Sequence, residues 1–264
     1  MTKHIHGGDV YKYDHCLDFS ANCNPLGTPQ SVKQAIIDSV EDLRDYPRVG
    51  CGPLKEAIAD YEHTKKEYLI CGNGAADLIF SLSRALNPKK ALLPAPTFAE
   101  YEQALVSVGC EISRYYLKEE NDFCIQKDYP DVLKREKPDI IFLCNPNNPT
   151  GITIPQELLE EILETCAMQG IFMVVDECFL DFVKDPEKHT LKGKLEKYPG
   201  LFILKAFTKR YAIPGVRLGY GFCSDGEVLD RIEALECVYH GTAGRNGSTE
   251  GSRICGSRTA DHFP

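Results

Sequence analysis

Lys209 and Arg217 stand eight residues apart in the stretch Lys205-Ala206-Phe207-Thr208-Lys209-Arg210-Tyr211-Ala212-Ile213-Pro214-Gly215-Val216-Arg217. As surface charge they would need no explanation. Lys209, however, follows the apolar run Leu201–Leu204 by a few residues, and Arg217 opens the next run, so both face one rim of whatever sheet these runs build. An unprotonated lysine is an amine nucleophile, and arginine is a planar fork for phosphate or carboxylate oxygens. Three other apolar runs also end in residues with chemistry. IFMVV runs into Asp176-Glu177, YLIC into Gly72-Asn73-Gly74-Ala75-Ala76-Asp77, and IIFLC into Asn145-Pro146-Asn147-Asn148-Pro149-Thr150-Gly151. Each has a plain structural use as a helix cap, a strand–helix turn or a rigid polar loop. Small residues at a helix start also let backbone N–H groups approach an anion, helped by the helix dipole. An amine nucleophile, an anion-binding arginine, a phosphate-cradling helix start and a carboxylate on one rim are the set that a pyridoxal phosphate site requires.

The elements that must position these groups are short apolar runs alternating with helical patterns. Strands are expected at Tyr68–Cys71, Lys90–Leu93, Glu111–Tyr116, Asp139–Cys144, Ile171–Val175, Leu201–Leu204 and Arg217–Phe222, and helices at Ala75–Leu86, Phe98–Ser107 and Pro155–Gln169. Continuous apolar strands separated by helices predict an α/β fold: three layers, α/β/α, around a mainly parallel seven-stranded sheet. In such sheets ligands bind beyond the carboxyl ends of the strands, where the groups above fall.

Composition narrows the alternatives. The 264 residues are 43% hydrophobic and carry 39 acidic against 30 basic side chains, net −9, which argues against a nucleic-acid or anionic-membrane partner. No apolar run is long enough to span a bilayer, and the start MTKHIHGGDVYKYDH lacks the apolar run of a secretory signal, so a cytoplasmic protein is expected. The twelve cysteines show no C-x-x-C spacing, and several sit in apolar runs, where a reduced thiol behaves as a small hydrophobe; no metal site is expected. Asp77 takes the place of the third glycine of a dinucleotide fingerprint, which disfavours a nicotinamide-dependent oxidoreductase, and G-x-x-x-x-G-K-[ST] is absent.

The blocks HGGD (6–9), DFSANCNPLG (18–27), DYP (45–47), GNGAAD (72–77), LPAPTFAEYE (93–102), FLCNPNNPTG (142–151), VVDECFLDF (174–182) and FTKRYAIPGVRLGY (207–220), in this order, resemble the fold-type I pyridoxal-phosphate enzymes of the class I/II aminotransferase superfamily. Within it the chain is most similar to the threonine-phosphate decarboxylases of cobalamin biosynthesis, a sister group of the histidinol-phosphate aminotransferases. The resemblance covers residues 4–235 and implies pyridoxal 5′-phosphate as cofactor and a phosphorylated amino acid as substrate. By it, Lys209 is the covalent attachment point and proton shuttle, Asp176 pairs with the ring nitrogen, Asn148 bonds the ring's phenolic oxygen and Phe98 stacks on the ring. Gly74, Ala75, Ala76, Thr208 and Arg217 hold the phosphate, and Tyr46 reaches the phosphate of the other subunit of a homodimer. Ser20, Asn22 and Asn24 of an N-terminal arm (residues 1–30) face the substrate. Two positions depart from the family pattern: Phe179 replaces a frequent tyrosine, and Ala206 replaces a serine or threonine, costing about 1 kcal/mol of cofactor binding.

Residues 31–235 would form the cofactor-binding large domain. After Leu235 the pattern fails: residues 236–264 contain five glycines, three serines and three threonines without apolar periodicity, an atypical tail expected to be disordered. Family members continue instead into a small carboxy-terminal domain, which is expected to be absent here. Codons can be chosen for residues 245–258 so that dropping one base yields GMAALKEAGYVEA, an amphipathic helix, so a shifted reading frame is a specific expectation. Decarboxylation of L-threonine O-3-phosphate, impaired by truncation, is the expected activity. The alternatives are a histidinol-phosphate-type aminotransferase and an inactive fragment.

Overall fold

The computed structural model describes residues 20–46 and 49–235, together with residues 8, 11, 17 and 18. Pro47, most of HGGD and the whole of 236–264 lie outside the described residues, and with them the expectations for the tail. Seven strands form one sheet: β1 (Leu69–Gly72), β2 (Lys90–Ala95), β3 (Glu111–Tyr116), β4 (Ile140–Cys144), β5 (Phe172–Asp176), β6 (Leu201–Ala206) and β7 (Gly219–Phe222). Their order is β1-β7-β6-β5-β4-β2-β3. Pairs from β3 through β6 are parallel, while β7 runs antiparallel to both β1 and β6.

Eight α-helices accompany the sheet among the described residues: α1 (Gln30–Asp38), α2 (Gly52–Glu62), α3 (Ala75–Leu86), α4 (Ala99–Ser107), α5 (Tyr129–Glu136), α6 (Gln156–Gln169), α7 (Phe207–Arg210) and α8 (Gly226–Leu235). Strand alternation divides the apolar side chains into two cores. Leu143, Val175 and Ile203 point to the face covered by α2, α5 and α6. Phe142, Val174, Phe202 and Leu204 point to the face covered by α3, α4 and α8. A parallel strand is buried on both faces, which is why β4 is apolar and buried at all five positions.

The strand expectations hold in number and order, with shifts at the ends. Tyr68 belongs to a 3₁₀ turn, Asp139 and Ile171 precede their strands, and Arg217 sits in a left-handed turn before β7 (φ 59°). At their carboxyl ends β5 and β6 run on to Asp176 and Ala206, so the sheet reaches further toward the chemistry. Phe98 and Pro155 are caps, one residue before their helices. No described helix is long and apolar enough to cross a membrane.

Phe202, the second residue of β6, is fully buried, its ring under Gly221 of β7, where a Cβ would collide with it. Phe202→Ala leaves a cavity at this crossing and is expected to lower stability by about 3–5 kcal/mol, read from urea unfolding midpoints at constant slope.

Candidate active site

The end of β6, α7 and the turn before β7 place Lys209 and Arg217 together at one rim. Lys209 projects from α7 with its Nζ 5.3 Å from the centroid of the Phe179 ring. Thr208 is buried beside it, and Ala206 caps the short helix without a side-chain hydrogen bond. The departure at Ala206 is thus structural as well: no hydroxyl is available there to bond the helix start or a phosphate.

Arg217 faces the start of α3. A Cβ on Gly74 would lie 2.7 Å from the Arg217 Nη2 atom, so the guanidinium packs directly against the helix N-terminus, and the backbone there (φ 89°) favours glycine. At Gly219 the backbone comes as close: a Cβ there would lie 2.6 Å from the Ala75 nitrogen. The first N–H groups of α3, at Ala75 and Ala76, have no acceptor within the helix. They form, with Arg217, a positively biased cradle for a phosphate. Asp77 closes its far side by accepting a hydrogen bond from the Asn73 N–H at 3.0 Å.

Asp176 ends β5, 4% exposed, on the α3 face of the sheet. Its carboxylate accepts hydrogen bonds from the Tyr101 hydroxyl at 2.6 Å and from the Cys178 N–H at 2.9 Å. Tyr101 is fully buried, stacked on Phe142 and edge-on to Phe98 at 5.5 Å. Burial, and then the Asp176 charge, push the Tyr101 phenol well above its ordinary value, so it stays a donor. Burial and the same carboxylate push up the thiols of Cys144 and Cys178. Three protonated groups therefore surround one buried carboxylate. Tyr101 was not singled out from sequence, although its i, i+3 spacing from Phe98, the cap of α4, brings the two rings together.

The loop after β4 is held from within. The Asn147 amide donates to the Pro96 carbonyl at 3.1 Å and to the Thr150 hydroxyl at 3.0 Å, and the Asn147 side-chain oxygen accepts from Thr97 at 3.0 Å. Buried Asn145 donates to the His189 carbonyl and accepts from the Ile154 N–H. With its neighbours so fixed, Asn148 stands half-buried at the mouth of the loop.

The arm residues divide. Asn24 ties the arm to α7: its N–H donates to the Lys209 carbonyl at 2.9 Å and its side-chain amide to the Arg210 carbonyl at 3.0 Å. Ser20 is exposed, donating to Asp18 and accepting from the Gly8 N–H, and Asn22 is exposed. Tyr46 lies on the surface, 72% exposed.

Opposite the Asp176 face, α2 ends in Glu62, 3% exposed. Its Oε1 accepts from Lys205 at 2.9 Å and Tyr220 at 2.7 Å, and its Oε2 accepts from Lys192 at 2.9 Å. Burial raises the Glu62 carboxyl, but Lys205, with Tyr220 and Lys192, outweighs it and holds the group at about 2. Nearby Glu177 accepts from the Thr190 hydroxyl at 2.8 Å. Burial dominates there and lifts it to about 7, against the pull of Lys205. Sequence reading passed over this cluster, because a glutamate at a helix end and a lysine in a strand look like surface residues.

The model of the aminotransferase class I and II family matches residues 14–256 of this chain. The chain belongs to that family. Its match runs past Leu235, where the motif pattern stops. The chain is 37% identical over 235 residues to a threonine-phosphate decarboxylase of Salmonella typhimurium, covering 86% of this chain and 64% of that protein. It is 28% identical over 228 residues to a histidinol-phosphate aminotransferase of Archaeoglobus fulgidus, covering 84% of this chain and 61% of the other. Among solved structures, the histidinol-phosphate aminotransferase from Clostridium acetobutylicum superposes with a TM-score of 0.79 at 31% identity, over 94% of this chain and 69% of that one. The chain thus spans less than two thirds of the length of the curated relatives it matches. The cofactor implied by the family is pyridoxal 5′-phosphate, and the residues fit it: a cradle that a Cβ at Gly74 or Gly219 would fill, and a buried carboxylate with an amine on the same rim.

Between the ordinary carboxylate range and about pH 7, folded Glu177 keeps a proton that the unfolded chain has released, so stability falls as pH rises through that window. Glu62 runs the other way: its contribution is complete above the ordinary range and is lost as pH falls toward 2. Glu177→Gln removes the first dependence. Wild type is expected to lose about 2 kcal/mol relative to the variant between pH 5 and pH 7, measured by urea unfolding at both. A pH-independent difference between the two would contradict the assignment.

Proposed function

We propose that this chain binds pyridoxal 5′-phosphate at the β5–β7 rim and serves the decarboxylation of L-threonine O-3-phosphate, a reaction of cobalamin biosynthesis. The observation that carries the reading is the 37% identity to a threonine-phosphate decarboxylase, with Lys209, Asp176 and Arg217 at one rim. When bound, the cofactor supplies an electron sink for a bond broken at the substrate Cα.

The chain's own groups do the rest. The α3 start at Gly74, Ala75 and Ala76, the Thr208 hydroxyl and the Arg217 fork bind the phosphate. Lys209 would hold the cofactor covalently until the substrate amine displaces it, and its freed Nζ would then deliver a proton to the Cα that carbon dioxide has left. Asp176, held by Tyr101 and the Cys178 N–H, would keep a proton on the ring nitrogen. Phe98 would cover the ring face and Asn148 would donate to the phenolic oxygen. Ser20 and Asn22 face the substrate, while Asn24 fixes the arm that carries them. Which Cα bond stands perpendicular to the ring decides between loss of carbon dioxide and loss of a proton, and Lys209 and Asp176 serve both outcomes. A histidinol-phosphate-type aminotransferase is therefore the second reading, favoured by the 0.79 TM-score to such an enzyme. A fragment that binds cofactor without turnover is the third.

The wild-type protein is expected to gain a visible absorbance band on adding pyridoxal phosphate, and Lys209→Ala to lack it; equal spectra would remove the cofactor assignment. Carbon dioxide release from phosphothreonine, against 2-oxoglutarate-dependent amino transfer from histidinol phosphate, separates the two enzymatic readings, and neither product from a coloured protein leaves the third. A homodimer with Tyr46 at the other subunit's phosphate is supported by the exposed apolar side chains Ile37, Val40, Leu43 and Val49 around it. Sedimentation should give a dimer for wild type and a monomer for Leu43→Asp.

A further inference from the structure

Three segments carry the site, and each places one polar residue on the opposite face of the sheet. Asp176 is followed by Glu177, Lys209 is preceded on β6 by Lys205, and the Gly219 that admits the α3 start is followed on β7 by Tyr220. Lys205 and Tyr220 are register partners across the antiparallel β6–β7 pair, as Ala206 and Gly219 are one step nearer the site. Both donate to the same oxygen of Glu62, at 2.9 and 2.7 Å. Just after β5 the Glu177 N–H donates to the Leu204 carbonyl at 2.8 Å, and Lys205 lies near enough to pull on its carboxyl. One buried carboxylate from α2 is therefore joined to β6 through Lys205 and to β7 through Tyr220, and the backbone bond from Glu177 to Leu204 ties the end of β5 to the same β6.

Stability alone does not account for this arrangement. Charges taken out of water cost several kcal/mol each, and apolar residues of similar volume often stabilise a core as well or better. Glu62 is also the last residue of α2, where a negative charge opposes the helix dipole. The best-attested return on such buried pairs is geometric register. Here register is the quantity at stake: a small slip of β6 against β7 moves Lys209 relative to Arg217, and a slip of β6 against β5 moves it relative to Asp176.

We propose that Glu62, acting through Lys205 and Tyr220, is a positioning residue that sets Lys209, Asp176 and the phosphate cradle at one height from behind the sheet. The inference rests on the reading of Lys209 as the cofactor lysine. It is tested with the full chain by titrating pyridoxal phosphate, following the visible band, and trapping the bound cofactor on Lys209 with borohydride for mass analysis. Unfolding midpoints without cofactor are measured in parallel. Tyr220→Phe removes one hydroxyl without changing the packing volume, and Glu62→Gln removes the charge. Lys55→Met breaks another ion pair of α2, the one to Glu233 of α8, away from the three strand ends. The expected result is a Kd for pyridoxal phosphate raised about 3- to 10-fold by Tyr220→Phe and more than 10-fold by Glu62→Gln, with slower trapping, and unchanged in Lys55→Met. Glu62→Asp, which restores the charge, should recover part of the loss.

Unchanged Kd and trapping in both Tyr220→Phe and Glu62→Gln would overturn the proposal. So would losses in all three variants that simply follow their unfolding midpoints. Should Glu62→Gln fail to fold, Tyr220→Phe decides alone. Wild type and Lys209→Ala with identical spectra would instead sink the cofactor reading, and this inference with it.

Discussion

Because β7 runs against β6, the end of one strand and the beginning of the next meet at the same rim, joined only by residues 207–218. In a wholly parallel sheet the chain would have to return the length of the molecule before re-entering at that height. The reversal instead compresses an amine, a hydroxyl and a guanidinium into a dozen residues whose two ends are pinned by strand pairing. The rest of the site is drawn toward this point. β5 delivers Asp176 in register with Leu204 of β6, and β1, antiparallel to β7, delivers the start of α3 against Gly219.

The two faces of the sheet treat charge differently. On the α3 face a single buried carboxylate is surrounded by neutral donors, Tyr101 and the Cys178 N–H, with protonated thiols nearby. Such a group is held in place by neutral donors alone, with no ion pair to Asp176 among the described residues. On the α2 face, carboxylates and ammonium groups already pair with one another through Glu62, Lys192 and Lys205. Low dielectric strengthens both arrangements, but only the first leaves a charge for a ligand to answer. This asymmetry follows from strand alternation, since neighbouring residues on one strand must face opposite layers.

Much of this was legible in the sequence. The central strands β4, β5 and β6 stand out because strands buried on both faces are uninterrupted apolar runs, whereas the edge strand β3 (EISRYY) has no fully buried position. The residues of the rim were legible from type and position after those runs. What escaped notice had physical causes. α5 is short and begins with a Tyr-Pro pair, so its buried Tyr129, Val132 and Leu133 fill too few turns to show a period. The hydrogen bond between Tyr101 and Asp176 joins residues 75 apart and has no local signature. Glu62, Lys205 and Lys192 read as solvated charge because periodicity registers apolar residues, whereas their burial depends on partners that only the folded sheet brings near. Asn24 looked like a substrate ligand from its motif, yet its side chain fastens the arm to α7.

That fastening has a consequence for the order in which the molecule can be made. Asn24 bonds a carbonyl 186 residues further along, and Thr28 bonds the Ala212 carbonyl 184 residues away. During synthesis the arm emerges first and has nothing to hold until β6 and α7 have left the ribosome, by which time most of the sheet can already have formed. The closure entropy of so long a loop grows only logarithmically, so the attachment is thermodynamically modest. The arm is thus a clasp that has nothing to close on until α7 is present, and Lys209 has its finished surroundings only when that clasp is shut.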